Sequence, residues 1–387
     1  MDVQQQSSGT RIYYLDAVRA FCMFAGIFTH GTSIAFPVMY EIAPFALVQF
    51  VNDLFRNATF FFVSGFFTTL VWEKNSLSSY VRNRVDSLLV PLVASLILIA
   101  PVTNWMIHVW HNGPMGFLDY LTGGWRRPTV GNDTWALHFW FLFSLLIYAA
   151  LTPAIAALVR SPMFDRAMDW YLARTKGFTQ WTNVLLFALA VVVGRALYDQ
   201  GFRHLAEGTP FAWIARASLN FLPIYALGVI SFAHRRFLDT LVRFSPLGLF
   251  LFIVLHFVIV DFGEGLPRAL ERTLYWLIYA GAMLFLINAI LWAFQRWLNK
   301  PSPALSFAVD AAYPFYLFHF TFIYLVAFAV RPFVSDPVAI WVVIVLVATP
   351  LILLWHALVI RRFALTRRLF MGKPPRPTAA RPVPAAE

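Results

Sequence analysis

Charged residues and cysteines are scarce in this sequence. Of its 387 residues, 13% are charged and 60% are hydrophobic, whereas soluble globular chains are about one quarter charged and about one half apolar. One soluble core cannot bury so much apolar surface, so we expect lipid to be the solvent for much of the chain. The single cysteine, Cys22, excludes an internal disulfide bond and lies within an apolar stretch.

Acidic residues are few as well, with 19 Asp and Glu against 30 Lys and Arg and a formal net charge of +11. Such an excess of positive charge can indicate nucleic-acid binding. Here, however, the basic residues fall in short segments between apolar stretches and in the C-terminal segment, which is the distribution that membrane topology requires. We therefore expect the lipid bilayer to be a partner, and we expect no nucleic acid.

Several catalytic motifs are missing. The sequence has no Walker-type phosphate loop, no G-x-G-x-x-G, no H-E-x-x-H and no G-x-S-x-G elbow. Its nine histidines are scattered without a carboxylate cluster at metal-binding spacing. We expect no metal site and no permanently bound cofactor.

Long apolar runs dominate what is present. A membrane-spanning helix needs roughly 17–25 such residues, and barrel strands would alternate over about ten residues instead. The pattern predicts an all-α integral membrane protein with about ten transmembrane helices, near residues 15–36, 46–72, 88–110, 136–159, 182–199, 212–233, 245–262, 272–297, 305–330 and 338–360.

The basic residues also predict the orientation. Twenty of the 30 lie in the loops on one side and in the C-terminal segment, six lie in the opposite loops and four lie within the spans. Because Lys and Arg accumulate in cytoplasmic loops, both termini are predicted to be cytoplasmic. We expect residues 1–371 to form the polytopic domain and residues 372–387, rich in Pro and Ala, to form a disordered cytoplasmic tail.

Ionisable residues inside spans are costly and therefore mark candidate functional positions. Arg19 and His30 in the first span are eleven residues apart, which places both on one helix face at a separation of about 16 Å. Asp16 precedes Arg19 by three residues and can pair with it. Taken alone, this helix is more often explained by an interfacial ion pair and a hydrogen-bonded packing histidine than by a functional site.

The second span repeats the acid–base spacing with Asp53 and Arg56. Counting 1.5 Å per residue puts Arg56 and His30 at comparable depth in the outer half of the membrane, where they can meet. At the opposite interface, Arg82 and Arg84 are equally consistent with topology anchors and with ligands for a phosphate group. His138 and His319 enter from the outer side in the fourth and ninth spans.

Four segments, in order, resemble one known family. YYLDAVRAFCMFAGIFTH (13–30) is similar to the opening signature of the membrane acyltransferase-3 family, and the second, fourth and late helices of that family resemble FRNATFFFVSGFF (55–67), LHFWFLFSLL (137–146) and YPFYLFHF (313–320). The stub FMGKPPRP resembles the end of the branch that succinylates periplasmic glucans. Each motif alone is weak, but four in order are a strong match.

The resemblance implies a multi-pass acyltransferase of the bacterial inner membrane. Acyl-coenzyme A, with succinyl-CoA favoured, would be the cytoplasmic co-substrate, and a hydroxyl of a periplasmic glucan or other envelope glycan the acceptor. His30 matches the family's essential histidine, Arg19 with Asp16 its partner, and Arg82 and Arg84 its donor-binding pair. The chain departs from the family at Asp86-Ser87, where a further basic residue is common, and at Asp310, where Asn is common. We expect the acyl group or the acceptor to be bound by Arg56, Ser64, His138, Trp140 and His319.

The sequence leaves several alternatives open. His30 can act as a general base on the sugar hydroxyl, or as a nucleophile that forms an acyl-histidine. Arg56 is the preferred partner for the free carboxylate of a succinyl group. The competing functions are O-acetyl transfer to another envelope glycan and, outside the enzymes, transport of a glycan or lipid.

Overall fold

The computed structural model describes residues 12–124, 135–209 and 211–373. Within these ranges the chain is helical with connecting turns and contains no strand. The predicted all-α architecture is therefore confirmed. Most of the predicted disordered tail, residues 374–387, lies outside the described residues.

The described ranges contain eighteen α-helices, several of which continue into short π-helical or 3-10 segments. In chain order they are α1 (Tyr13–Phe24), α2 (Gly26–Gly31), α3 (Ala43–Lys74), α4 (Leu77–Arg84), α5 (Val90–Leu98), α6 (Ala100–Asn112), α7 (Phe117–Thr122), α8 (Trp140–Val159), α9 (Pro162–Arg174), α10 (Thr179–Ala196), α11 (Arg203–Ala206), α12 (Ala212–Ala233), α13 (Arg235–Leu241), α14 (Pro246–Phe262), α15 (Arg268–Leu298), α16 (Pro303–Val330), α17 (Pro337–Trp355) and α18 (Ala364–Met371).

Seven helical stretches of the described chain are long and apolar enough to cross a membrane, and two bent pairs raise the number to nine. The bent pairs are Leu77–Leu98 with Ala100–Asn112, at 45°, and Arg235–Leu241 with Pro246–Phe262, at 67°. Nine of the ten predicted spans coincide with these stretches. The remaining one, 15–36, is occupied by α1, α2 and a 3-10 turn, each too short to qualify alone, so the count of ten stays a prediction.

The first helix lies at the centre of the bundle. α1 packs against α3, α15 and α16, and Leu15 and Val18 are fully buried. One residue, Ala25, separates α1 from α2 and keeps right-handed helical torsion angles. The predicted single helix from Arg19 to His30 is thus two short helices, and most residues of both are buried in the bundle.

One end of the bundle carries the loops that are rich in Lys and Arg, and we call it the basic end. An ion pair between Glu73 and Arg160 joins the ends of α3 and α8 there. Arg236 Nη2 lies 3.3 Å from Asp169 Oδ1 and joins α13 to α9. This is the side that the sequence assigns to the cytoplasm.

The other end of the bundle, the opposite end, is tied together by tryptophan side chains. Trp341 Nε1 donates to the carbonyl oxygen of Phe28 at 2.9 Å. Trp110 Nε1 donates to the carbonyl oxygen of Ile34 at 2.8 Å. These bonds hold α2 and the 3-10 turn that follows it to α17 and α6, because an indole N–H in a largely apolar surrounding needs an acceptor.

Small residues let α3 and α12 approach closely. A side-chain carbon on Gly228 would lie 1.9 Å from the carbonyl oxygen of Phe62, and one on Gly65 would lie 2.1 Å from the carbonyl oxygen of Tyr225. Close backbone contact through glycine is a common way to join helices in membranes, where no hydrophobic effect drives them together. The contact fixes α3, which carries Arg56 and Ser64.

We predict that Gly228→Ala lowers the melting temperature of the purified protein, because the added methyl group must force α3 and α12 apart. Overpacking of this kind costs about 1–3 kcal/mol. The matched control is Gly201→Ala, since nothing lies within 4 Å of a side-chain carbon there. Equal melting temperatures for both variants in detergent would contradict the close approach.

Candidate active site

A large cavity of about 840 Å³ contains no group that could take part in catalysis. It lies among α10, α14 and α15, and its lining has no ionisable side chain. Apart from Thr182, the lining residues are apolar or glycine. A site for acyl, phosphoryl or proton transfer needs titratable groups, so this cavity is not the candidate active site.

A much smaller cavity, about 30 Å³, is lined by several ionisable and polar side chains from within the predicted spans. We call it the histidine cavity; its lining residues are Cys22, Met23, His30, Arg56, Asn57, Phe60, His138, Trp140, Phe141 and Tyr316. It has room for roughly two water molecules. The prediction that His30 and Arg56 lie close enough to meet is confirmed, since both line this one cavity.

Three histidines from three parts of the chain cluster here. The ring centroids of His30 and His319 are 5.0 Å apart, those of His138 and His319 are 4.7 Å apart, and those of His30 and His138 are 6.1 Å apart. His30 comes from α2, His138 from the 3-10 turn before α8, and His319 from α16. Phe320 closes the cluster, with its ring centroid 4.6 Å from that of His30.

The backbone carbonyl of Tyr316 orients two of these rings. His319 Nδ1 lies 2.6 Å and His138 Nε2 lies 3.0 Å from this oxygen. A carbonyl oxygen can only accept, so both nitrogens carry hydrogen. In the neutral rings the remaining nitrogens, His319 Nε2 and His138 Nδ1, then bear lone pairs, and both are buried without a hydrogen-bond partner among the described residues. These two acceptors are available to a bound molecule.

Arg56 brings a permanent positive charge to the same place. A side-chain carbon built on Gly26 would lie 2.9 Å from Arg56 Nη1, 3.6 Å from His319 Nε2 and 3.7 Å from His30 Cδ2, so these groups converge. Arg56 Nε is buried and has no hydrogen-bond partner. Asp53, three residues earlier, accepts from Asn52 and makes no ion pair with Arg56. The ion pair between Asp16 and Arg19 in α1 therefore has no counterpart between Asp53 and Arg56 in α3. The Arg56 guanidinium is available to a ligand.

A second cavity, about 240 Å³, lies on the side of the basic end. We call it the basic-end cavity; its lining residues are Arg19, Met23, Phe60, Ser64, Phe67, Thr68, Arg84, Ser87, Leu88, Leu145, Val309, Asp310, Ala312, Tyr313, Met371 and Lys373. Three of its buried polar atoms have no hydrogen-bond partner within the described chain, namely Arg84 Nε, Ser87 Oγ and Tyr313 Oη. Unpartnered polar atoms at a cavity wall indicate a polar ligand, because burying them unpaired is unfavourable.

The predicted partnership of Asp16 with Arg19 is present at this cavity. Arg19 Nη2 lies 3.1 Å from Asp16 Oδ1, and the guanidinium also lies over the ring of Phe67 at 5.0 Å. Arg84 lies over the ring of Tyr80 at 5.7 Å. The cavity thus has a basic wall at the end of the bundle where the sequence predicts the donor to bind.

The two cavities meet at Met23 and Phe60, which line both. On α3, Arg56 lines the histidine cavity, Phe60 the junction and Ser64 the basic-end cavity. These residues are four apart and therefore lie on one helix face. On α1, Arg19 and Met23 repeat the same step. The lining residues thus describe one path through the bundle, from the basic wall to the histidines.

On α16 the path passes from Tyr313 to Tyr316. Tyr313 lines the basic-end cavity and Tyr316 the histidine cavity, and their rings are stacked at 6.4 Å. Neither residue was singled out from the sequence, although both lie in the segment YPFYLFHF. Met23, Phe60 and Lys373 were also missed, because apolar residues and a lysine near the C-terminus carry no local signal.

Not every predicted site residue lies where it was expected. His138 and Trp140 line the histidine cavity and His319 packs behind it, but Ser64 lies in the basic-end cavity, away from His30. Arg82 is exposed and does not line the basic-end cavity, so the basic pair is divided and only Arg84 faces this cavity.

The described residues contain no group of three or more His, Cys, Asp or Glu side chains that could hold a metal ion.

Comparison with known proteins identifies the family to which the chain is similar. Residues 12–357 match an acyltransferase-3 family described as "Acyltransferase domain". The chain is 23% identical to glucans biosynthesis protein C of Salmonella typhi and of Salmonella typhimurium, with 94% of this chain and 96% of the relative covered. The same protein of Salmonella heidelberg is 22% identical. No solved structure matches.

The junction can be tested through Cys22, the only cysteine in the chain. We predict that Met23→Ala connects the two cavities and makes Cys22 react faster with a small methanethiosulfonate reagent in the purified protein, as measured by intact mass. The control is Met283→Ala, a buried methionine of α15 that lines neither cavity. An unchanged rate in Met23→Ala, or an equal increase in both variants, would contradict a junction at Met23.

Proposed function

The chain belongs to the acyltransferase-3 family and is a multi-pass membrane acyltransferase, and from that premise we propose that it moves a succinyl group from coenzyme A to a glucan hydroxyl across the membrane. The observation that carries the proposal is the pair of cavities that meet at Met23 and Phe60. Membership of an enzyme family removes the alternative of a transporter.

The donor is proposed to enter the basic-end cavity. Coenzyme A carries its phosphates far from its thioester, so it suits a cavity with a basic mouth and a narrow inner end. Arg19 and Arg84 supply positive charge at the mouth, and guanidinium groups match phosphate geometry well. The coenzyme would act as a co-substrate that leaves after each turnover.

The acceptor is proposed to approach from the opposite end. The relatives are named for glucan biosynthesis, and a glucan outside the cytoplasm cannot meet coenzyme A without an enzyme that spans the membrane. A bacterial inner membrane, with acyl donor on one side and glucan on the other, fits both requirements. Trp140 lines the histidine cavity and its ring centroid is 5.9 Å from that of the exposed Trp213, so aromatic rings are available near the acceptor.

His30 is proposed as the general base. The sugar hydroxyl gives its proton to the His30 ring while its oxygen attacks the thioester carbonyl, so that a C–O bond forms. The C–S bond then breaks, and the proton passes from His30 to the leaving thiolate of coenzyme A. The same geometry accommodates a transient acyl-histidine, which quenching and mass analysis of the enzyme would detect.

Arg56 is proposed to bind the free carboxylate of the succinyl group. Its guanidinium is next to His30, makes no ion pair within the described chain, and keeps a buried Nε without a partner. A carboxylate would supply the missing acceptor through charge-assisted hydrogen bonds. This assignment favours succinyl over acetyl, which has no second charge.

The function is tested with purified protein in lipid nanodiscs, supplied with isotope-labelled succinyl-CoA and a glucan oligomer. We expect succinylated glucan in the mass spectrum, and we expect His30→Ala to lose activity at least a hundredfold, the lower range for a general base. A wild-type protein that acylates no glucan from succinyl-CoA or acetyl-CoA would overturn the proposal. An active His30→Ala variant would overturn the role of His30.

The acyl preference is tested separately with Arg56→Gln. We expect succinyl transfer to fall by roughly tenfold or more, as loss of a hydrogen bond to a charged group implies, while acetyl transfer falls much less. The matched control is Arg195→Gln, because Arg195 lies over the ring of Trp276 at 4.0 Å and lines neither cavity. Equal losses of both activities in Arg56→Gln would rule out a carboxylate partner.

A further inference from the structure

The last described residues of the chain form part of the basic-end cavity. α18 packs against α5 and α16, and its Phe370 and Met371 are buried. Gly372 follows with φ +60°, and a side-chain carbon there would lie 2.1 Å from the carbonyl oxygen of Asp86. Only glycine combines this left-handed conformation with such a close approach. The turn directs the chain so that Lys373 lines the cavity.

Asp310 of α16 holds Lys373 in this position. Lys373 Nζ lies 2.5 Å from Asp310 Oδ1, and Asp310 Oδ2 lies 3.2 Å from His356 Nε2 and 3.7 Å from Arg361 Nε. The carboxylate therefore faces two permanent cations as well as a histidine. The Lys373 side chain is still 47% exposed, so the ammonium group keeps donors for a second partner.

Arg84 approaches the same cavity from the segment before α5. Its buried Nε has no partner in the described chain, and neither has Ser87 Oγ beside it. Asp16 balances Arg19, and Lys373 and Arg361 share the single carboxylate of Asp310. The cavity lining thus has more positive than negative charge, together with two unpartnered hydroxyl groups from Ser87 and Tyr313.

We propose that Lys373 and Arg84 together bind a phosphate group of the acyl donor at the mouth of the basic-end cavity. Lys373, in the C-terminal segment, and Arg84, the last residue of α4, donate hydrogen bonds to the phosphate oxygens. Asp310 holds Lys373 in position between turnovers. This inference rests on the proposed function and extends it to a residue in the segment that the sequence assigned to a disordered tail.

The test compares two donors in the nanodisc assay, succinyl-CoA and succinyl-pantetheine, which has the same thioester but no phosphate. For Lys373→Gln we expect the KM for succinyl-CoA to rise roughly five- to tenfold, since one partly exposed charge-assisted hydrogen bond is lost. The kcat is expected to stay close to wild type. The KM for succinyl-pantetheine is expected not to change, and Lys373→Arg is expected to restore the KM for succinyl-CoA.

The matched control is Arg368→Gln, which removes one positive charge from an exposed position on α18, the helix that precedes Lys373, outside the cavity lining. An equal rise in KM in this control would assign the effect to general surface charge and overturn the proposal. An equal rise in KM for both donors in Lys373→Gln would also overturn the proposal, because Lys373 would then act on folding or on the thioester.

The same assay separates this proposal from the proposed function. If the wild-type protein turns over succinyl-pantetheine, the proposed function stands even if the proposal for Lys373 is overturned. No turnover of either donor would overturn the function itself.

A phospholipid headgroup is the other source of phosphate at this end of the bundle. The same variants are therefore compared in nanodiscs of neutral and of anionic lipid. A KM difference that is equal in both lipids supports the donor phosphate. An effect of Lys373→Gln that appears only in anionic lipid would assign the site to the membrane and overturn the proposal.

Discussion

The whole arrangement depends on one constraint, that polar groups within a membrane-spanning bundle must find partners inside the protein. Here the partners are gathered around α1, which packs against α3, α15 and α16, and around α2, which packs against α3, α16 and α17. The Tyr316 carbonyl orients two imidazoles, and Asp16 pairs with Arg19. Some of the buried polar atoms that remain unpartnered in the described chain, among them Arg56 Nε and Arg84 Nε, belong to residues that line the two cavities, where a substrate can supply the missing partners.

The narrow junction has a chemical advantage for an enzyme of this family. A thioester exposed to water at an active-site base would be hydrolysed, and closing a site prevents such side reactions. Met23 and Phe60 are buried and leave the histidine cavity with room for only a few small molecules. Methionine is flexible and can move aside for an acyl chain, so the same residues can separate the two sides at rest and admit the reacting group.

The long apolar runs in the sequence were sufficient to predict the all-α fold, and the meeting of His30 with Arg56 could be predicted because depth within a helix follows directly from residue number. Ser64, assigned from the sequence to the acyl group or acceptor, lines the basic-end cavity and not the histidine cavity. It shares a helix face with Arg56, but two turns along α3 carry it past Phe60 into the basic-end cavity. Arg82 and Arg84 were indistinguishable in sequence, and only the folded segment before α5 turns Arg84 inward.

The position of Lys373 in the cavity lining could not be predicted from the sequence around it. Its position depends on Gly372 packing against the backbone of Asp86 and on the carboxylate of Asp310, both far away in sequence. The departure at Asp310, which had no explanation in the sequence, has a physical role in the structure as the partner of Lys373, His356 and Arg361. Asp310 and Lys373 are 63 residues apart in the sequence, and the packing of α16 against α18 brings them together.

The central claim, that one acyl group passes through the bundle from the basic end to His30, is tested most directly by sidedness. Protein in sealed vesicles of known orientation is given labelled succinyl-CoA on one side and a glucan too large to cross the membrane on the other. The account predicts labelled glucan only when the donor faces the basic end and the glucan faces the opposite end. Equal labelling when both substrates are on the same side would contradict it.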